Sequence, residues 1–398
     1  MRPNQPKRGR GLAELAERVI ILGGGIIGLS CAFEALRLGY DVTVIEPEAF
    51  GGQASGAAAG MLAPFTENPE QPDPFFRLCL ESLNLYPSWL ADIEAVSGCR
   101  ADLLQTGSLT VALHEADLLP LQTRLAWQRS CGSGAELVEG ERLRRMEPQL
   151  AASALAAVYT PEESHVYAPA LVAALEEACR KLGARMVDHA GGIQAPDLFA
   201  AGGIRIETAA CGSYDGDRLV VCSGAWAGHY AASFGFPIPV HPIRGQICSF
   251  DVPFGEVRHM VFSSQAYWVG KRNGTLVCGA SEDVAGFDRT VTERGIERLV
   301  RWGPRVLPFL DGREPIDRWA GLRPATRDGW PLIGPIPGRE DVILAAGHYR
   351  NGILLSPATG ALVGRMLSGS AQAEEARPFA PDRFAVLQRR GREYAGFR

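Results

Sequence analysis

No Cys-x-x-Cys pair and no His-Cys cluster of metal-binding spacing occurs in the 398 residues, which argues against zinc-type sites and dithiol redox chemistry. The nine cysteines are odd in number and widely spaced. Several, including Cys222, Cys248 and Cys278, fall inside β-like apolar runs, so buried, reduced thiols in a cytoplasmic protein are expected. No run approaches the roughly 18 apolar residues of a membrane span. The basic first residues lead into the amphipathic stretch Leu12-Ala13-Glu14-Leu15 instead of an apolar segment, which argues against a secretory signal. The net charge of −5 is modest and the basic residues are scattered, so no nucleic-acid footprint is visible. Clusters such as Arg142, Arg144 and Arg145, or Arg389, Arg390 and Arg392, read as solvated faces. There is no evident Ser-His-Asp array, pair of catalytic carboxylates or metal cluster.

The composition, 46 % apolar and 21 % charged, is that of an ordinary globular chain, and the length exceeds what one core usually serves. From Arg18 the pattern reads strand, glycine turn, helix, strand: Val19 to Leu22, Gly23 to Gly28, Leu29 to Leu38 closed by Gly39, then Val42 to Ile45. Further on, Phe75 to Val96 reads as a helix interrupted by Pro87, Ser108 to Leu113 as a strand, and Pro169 to Leu182 as an amphipathic helix. Leu219 to Cys222 reads as a short buried strand. Near Phe236 the texture changes to short strands at hairpin spacing, Gln246 to Phe250, Tyr267 to Val269 and Leu276 to Cys278, with Asn273-Gly274 as a tight turn. A helix from about Thr292 to Val306 precedes a return to a strand, Val342 to Ala346, and a helix, Thr359 to Leu367. The expected architecture is α/β: a Rossmann-like dinucleotide domain of residues 17–95, 150–235 and 315–375, an inserted antiparallel-sheet domain of 96–149 and 236–314, and peripheral tails at 1–16 and 376–398.

Gly23-Gly24-Gly25-Ile26-Ile27-Gly28 fits G-x-G-x-x-G in the required context, after a strand and opening a helix whose N-terminus suits a pyrophosphate. Glu46 ends the second strand about twenty residues on, where an acid meets ribose hydroxyls. The fingerprint serves FAD and NAD alike. Two features favour FAD: the small-residue segment Gly51 to Met61, and the turn from Ala345 through Gly347-His348-Tyr349-Arg350-Asn351-Gly352-Ile353, which can aim backbone N–H groups at a ring carbonyl. No second fingerprint offers a nicotinamide site, so electrons are expected to leave to oxygen or a quinone-like acceptor.

Ile20 to Gly28, Ala57 to Leu62, Ser223-Gly224-Ala225-Trp226, Arg244-Gly245-Gln246, Trp319 to Pro324 and Gly347 to Leu355 together resemble the D-amino-acid oxidase and sarcosine oxidase group of flavoproteins. The likeness runs from about residue 18 to 370 and is strongest to the branch that oxidises glycine for thiamin synthesis. It implies non-covalent FAD, a small amino-acid substrate with glycine first, molecular oxygen as acceptor, and release of imine or keto acid, ammonia and hydrogen peroxide. By resemblance, Arg323 holds the substrate carboxylate, Tyr267 hydrogen-bonds it, and Arg350 sits near both flavin and substrate. FAD would be lined by Gly23, Gly25, Ile27, Gly28 and Glu46, and by Ala54, Ser55, Ala58, Ala59, Gly60, Met61 and Leu62. Gly192, Trp226 and Gly321 would join them, with His348, Tyr349, Arg350, Asn351, Gly352, Ile353 and Leu354 completing the lining. Relatives carry a histidine two residues before the pocket tyrosine, where this chain has Gln265, and covalent flavoproteins of the group use a cysteine where it has Gly321.

The residues by themselves leave alternatives open. Arg323 could instead pair with Asp317 or Asp328, and Tyr267 could be a core aromatic. His348 reads as a structural or flavin-contacting group rather than a base. A D-amino-acid or sarcosine dehydrogenase with a quinone-type acceptor, a non-catalytic FAD-binding subunit, and a homo-oligomer all stay compatible with the sequence.

Overall fold

A computed structural model describes residues 16–68, 71–370 and 373–384. The Leu12 to Leu15 stretch and the Arg389, Arg390 and Arg392 cluster lie outside them.

The glycine turn is flanked as its pattern requires, by β1 (Arg18–Leu22), α1 (Ile26–Arg37) and β2 (Asp41–Ile45). Val19 and Ile21 pack against helices while Ile20 and Leu22 pack on the opposite face, the alternation of a strand buried on both sides. Next comes α2 (Pro74–Ser97), which starts where the Asp73 carboxylate accepts the Phe76 N–H at 2.7 Å and stops at Gly98 with φ of 72°. It runs through Pro87 without a break. The chain continues through β3 (Ser108–Ala112), β4 (Glu136–Glu139), β5 (Ala156–Thr160), α3 (Ala168–Lys181), β6 (Arg185–Val187) and β7 (Arg218–Val221). Then follow β8 (Val240–Asp251), β9 (Met260–Phe262), β10 (Tyr267–Gly270), β11 (Thr275–Gly279) and α4 (Glu293–Val306). After α4 come β12 (Asp317–Thr326), β13 (Leu332–Ile336), β14 (Arg339–Ala346) and α5 (Gly352–Leu367).

One six-stranded sheet runs β13-β14-β7-β1-β2-β6, parallel except at β13. Helices α1, α2, α3 and α5 share a core with one of its faces, and a three-stranded sheet of residues 197–216 shares a core with the other. The second sheet has eight strands, β12-β8-β11-β10-β9-β3-β5-β4, antiparallel except between β9 and β3. The α/β architecture with an inserted sheet domain therefore stands.

Its sheet boundaries differ from the expected residue ranges. β5 and β12, assigned by sequence to the dinucleotide domain, are strands of the eight-stranded sheet. β12 pairs with β8 from Val240↔Thr326 to Ser249↔Asp317, so the chain leaves the second sheet only after Thr326. The expected tail also begins too early: Phe379 and Phe384 are buried, and Arg383 bonds Asp328 at 2.8 Å. All nine cysteines are free, and six are buried as expected. Cys99 and Cys211 are exposed and Cys131 is partly so, because each follows an element's end or sits in a hairpin turn. Among the described residues no helix is long and apolar enough to cross a membrane.

One detail of α5 bears on the site. Pro357 lacks an N–H, so the carbonyl four residues back, that of Ile353, loses its helical donor. The Tyr86 hydroxyl of α2 donates to that oxygen at 2.7 Å, joined by the Ser356 hydroxyl at 2.8 Å. The Ser82 hydroxyl donates to Leu354 O at 2.6 Å and accepts the Ala358 N–H at 3.2 Å. The first turn of α5 is thus tied to α2.

Candidate active site

Between the carboxyl ends of β1, β2 and β7 and the eight-stranded sheet lies a cavity of about 480 Å³. Open α/β sheets place ligand crevices at this edge. At one end the walls are backbone. A side chain on Gly28 would put Cβ 1.9 Å from Gly23 O, and one on Gly23, whose φ is 116°, would put it 2.5 Å from Cys222 O. Both positions demand glycine, and α1 can therefore start against the cavity. No side chain caps that start at Gly25, although the Ser55 hydroxyl accepts the Ile26 N–H at 2.9 Å. The remaining free N–H groups give an anion-favouring end.

Glu46 is fixed beside them: one carboxylate oxygen accepts the Gly24 N–H at 2.8 Å and the other the Glu48 N–H at 3.1 Å. Burial raises its pKa, against the pull of these two N–H groups. Ala54, Ser55, Ala58, Ala59, Gly60 and Met61 line the cavity, as do Gly192 and Trp226. The Ala59 carbonyl accepts from Nζ of the buried Lys271 at 2.6 Å, which also reaches Val166 O and the His165 ring. At Gly321 a Cβ would lie 2.6 Å from the Ala57 methyl, so no cysteine fits there without displacing that segment.

The start of α5 forms another wall, with His348, Tyr349, Arg350, Asn351, Gly352 and Ile353 lining the cavity. Its cap, Asn351, makes no side-chain capping bond, which leaves the first N–H groups open. His348 is buried, its Nε2 3.1 Å from the Thr359 hydroxyl, and burial lowers its pKa to about 3. It is a neutral, positioned imidazole.

At the other end the walls are side chains. The Arg323 guanidinium, half-buried on β12, donates to Ser281 O at 2.9 Å, and among the described residues no carboxylate pairs with it. The two acids that could have claimed it are otherwise engaged, Asp328 by Arg383 and Asp317 by the Arg318 N–H. Gly245 across the β8–β12 ladder leaves room for it, since a Cβ there would lie 2.4 Å from the guanidinium carbon. Tyr267 on β10 is buried and its hydroxyl is protonated, its pKa pushed up to about 12 by burial against the opposing pull of Arg323 and Arg350. Arg350 is different, because Glu67 and Glu282 clamp it and hold its proton more firmly than usual.

The cavity thus gathers nearly every residue expected at the site. Leu62 and Leu354 do not line it: both point into the hydrophobic core, Leu62 opposite Met61 on its short strand and Leu354 on the inner side of α5. Gly28 sits behind the helix start, against Gly23, and acts by allowing the turn. Gln265, at the position where relatives carry a histidine, is exposed and does not line the cavity. The sequence reading missed Glu67, Glu282 and Ser281, acids and a carbonyl whose proximity to the arginines only the fold creates. Gly245 was within reach, inside the Arg244-Gly245-Gln246 segment.

The family described as DAO, FAD dependent oxidoreductase, matches residues 18–366. The chain belongs to this family. Among its relatives, the glycine oxidase of Geobacillus kaustophilus is 33 % identical over 365 residues, 91 % of this chain and 96 % of the relative. The bifunctional protein ThiO/ThiG of Synechocystis sp. is 32 % identical over 375 residues, 92 % of this chain and 54 % of that longer protein. The crystal structure of glycine oxidase from Geobacillus kaustophilus superposes with a TM-score of 0.87 at 31 % identity, covering 92 % of this chain and 99 % of the other. The cofactor of the family is FAD. The residues of the cavity fit this cofactor, with an anion-favouring start of α1, the pinned Glu46 carboxylate beside it, a wall of small residues and a second uncapped helix start at α5.

Proposed function

We propose that the protein oxidises glycine and similar small amino acids with FAD and molecular oxygen, and that its imine product serves the thiazole of thiamin. The observation that carries this reading is Arg323: a half-buried guanidinium with no carboxylate partner among the described residues, beside a protonated Tyr267 hydroxyl, is a receptor for one carboxylate. The two donors fix the substrate's carboxylate end and so orient Cα. FAD, when bound, supplies the two-electron acceptor for the hydride that leaves Cα and passes the pair to oxygen, giving hydrogen peroxide. The amine nitrogen's lone pair forms the C=N bond as the hydride departs, the nitrogen loses its extra proton, and water then gives glyoxylate and ammonia. No protein base is assigned, because burial makes His348 a poor proton acceptor and its Nε2 is turned to Thr359. The substrate must therefore arrive with its amine unprotonated.

Gly23, Gly25, Ile27, Glu46, Ala54, Ser55, Ala58, Ala59, Gly60, Met61, Gly192, Trp226, Gly321 and the His348 to Ile353 turn are the residues we assign to FAD. The free, partly exposed thiols suit a reducing cytoplasm. Anaerobic addition of glycine should bleach the flavin absorbance, and air should then yield peroxide and glyoxylate. At low glycine the rate should rise with pH in wild type and His348→Ala alike. A flavin-replete preparation that glycine leaves oxidised would overturn the reading.

A further inference from the structure

Among the described residues two arginines line the cavity, and one of the two is open. The Arg350 guanidinium is engaged on every nitrogen: Nε and Nη2 lie 3.1 and 2.8 Å from the Glu67 carboxylate, and Nη1 lies 2.8 Å from Glu282 Oε1. Two carboxylates around one cation leave an excess negative charge, which faces the positive charge of Arg323. The two acids are not equivalent. The Glu67 side chain is only 7 % exposed and rides on the turn Pro64–Glu67, whose Phe65 and Thr66 N–H groups donate to the buried Glu163 carboxylate at 2.9 and 2.8 Å. Glu282 is 47 % exposed, and the Tyr349 hydroxyl donates to the same Oε1 at 3.0 Å.

Tyr349 and Arg350 thus converge on one carboxylate oxygen that comes from the protein. The loop that delivers it is fastened from β8. Arg244 donates to Asp288 at 2.7 Å, and Gln246 donates to Asp283 at 2.7 Å and accepts the Thr292 N–H at 2.6 Å. Burial alone would raise the Glu282 pKa, yet Arg350, Tyr349 and Arg323 hold it below the usual carboxylate range. It stays ionised at neutral pH.

We propose that Glu282 sets the substrate class: its carboxylate fills a second carboxylate position formed by Arg350 and Tyr349, and so restricts the site to amines bearing one carboxylate. The proposal rests on the reading of Arg323 as receptor for the first carboxylate. A dicarboxylic amine brings a second carboxylate that meets Glu282 and Glu67 before it can reach the donors. With Glu282 cut back to alanine, the Tyr349 hydroxyl and Arg350 Nη1 lose their acceptor, and the ligand's own second carboxylate replaces it.

The test uses the FAD-loaded full chain as wild type, Glu282→Ala, and Glu282→Ala combined with Arg350→Gln. Thiodiacetate and methylthioacetate, in which sulfur replaces the oxidisable amine, are titrated against the flavin absorbance, and kcat/KM is measured for iminodiacetate and glycine. Glu282→Ala should raise the dicarboxylate-to-monocarboxylate ratio at least fivefold in both affinity and kcat/KM, and Arg350→Gln should remove the gain. A ratio that moves less than fivefold in the affinity titration of flavin-replete Glu282→Ala overturns the proposal, as does a gain that survives Arg350→Gln. The thioether titration needs no turnover. A protein that binds these ligands as expected but leaves glycine unoxidised would refute the proposed activity and support the role of Glu282.

Discussion

At the end we assign to FAD the cavity is bounded mainly by backbone, the Gly23 to Gly28 turn and the open N–H groups of α1 and α5, whereas at the end we assign to the substrate it is bounded by Arg323, Tyr267, Arg350 and Glu67. The backbone end draws its binding from helix starts and close approach, so much of its specificity is steric. The side-chain end depends on charge balance among Arg323, Arg350, Glu67 and Glu282, which come from four separated segments, and one substitution there can change what the site accepts.

The largest expected effect tests that contrast directly. Arg323→Ala removes a charged contact worth on the order of 2–5 kcal/mol, so kcat/KM for glycine should fall roughly a hundredfold or more while FAD content stays normal. Arg323→Lys should keep part of the activity, since lysine supplies charge without the planar fork. A simple amine without a carboxylate should lose far less. Equal losses for glycine and the simple amine would mean that Arg323 serves the fold or the flavin, and the two ends would not be separable.

The converse substitution is Glu46→Ala at the backbone end. It should weaken FAD by about 1–3 kcal/mol, the usual worth of a charge-assisted hydrogen bond, and leave the KM for glycine of the FAD-saturated protein little changed. Fluorescence titration of the apoprotein with FAD measures the first, and a KM shift comparable with that of Arg323→Lys would count against the division.

The two ends also differ in how far the sequence discloses them. The βαβ unit, Glu46 and the α5 turn were legible because a phosphate-binding turn is local: its glycines, flanking strand and helix lie within thirty residues. Arg323 and Tyr267 were legible only through family likeness, since nothing local distinguishes an arginine without a partner from one in a salt bridge. Glu67 and Glu282 were not legible at all. They are more than two hundred residues apart and meet only through Arg350. The misplaced domain limits have a related cause: β5 and β12 return to the eight-stranded sheet without a change of composition, and only their pairing reveals it.

His348 sharpens the comparison from its border. Its folded pKa of about 3 lies below the ordinary 6.5, so the unfolded chain takes up a proton that the native chain refuses. The contribution to stability is complete above about pH 6.5 and is lost as pH falls towards 3. His348→Gln, saturated with FAD, should therefore lose stability less steeply between pH 6.5 and 4, by about 1.4 kcal/mol per pH unit in denaturant titrations. Parallel wild-type and variant curves would show that another group, such as His165, carries the acid sensitivity.

The smallest effect is expected from Tyr86→Phe, far from both ends. The Ile353 carbonyl loses one of its two hydroxyl donors, so stability should drop by about 1 kcal/mol, with weaker FAD binding and an unchanged preference among substrates. A change in substrate preference would place the influence of α5 at the wrong end.

The same interrupted ladder has a mechanical consequence. Because Pro357 stands one turn into α5, the turn that lines the cavity has no full lengthwise connection to the rest of its own helix and is hung sideways from α2. The 24-residue α2 is joined to the cavity wall through the Ser82 and Tyr86 hydroxyl groups. The second helix start at the cavity is a bracket mounted on its neighbour.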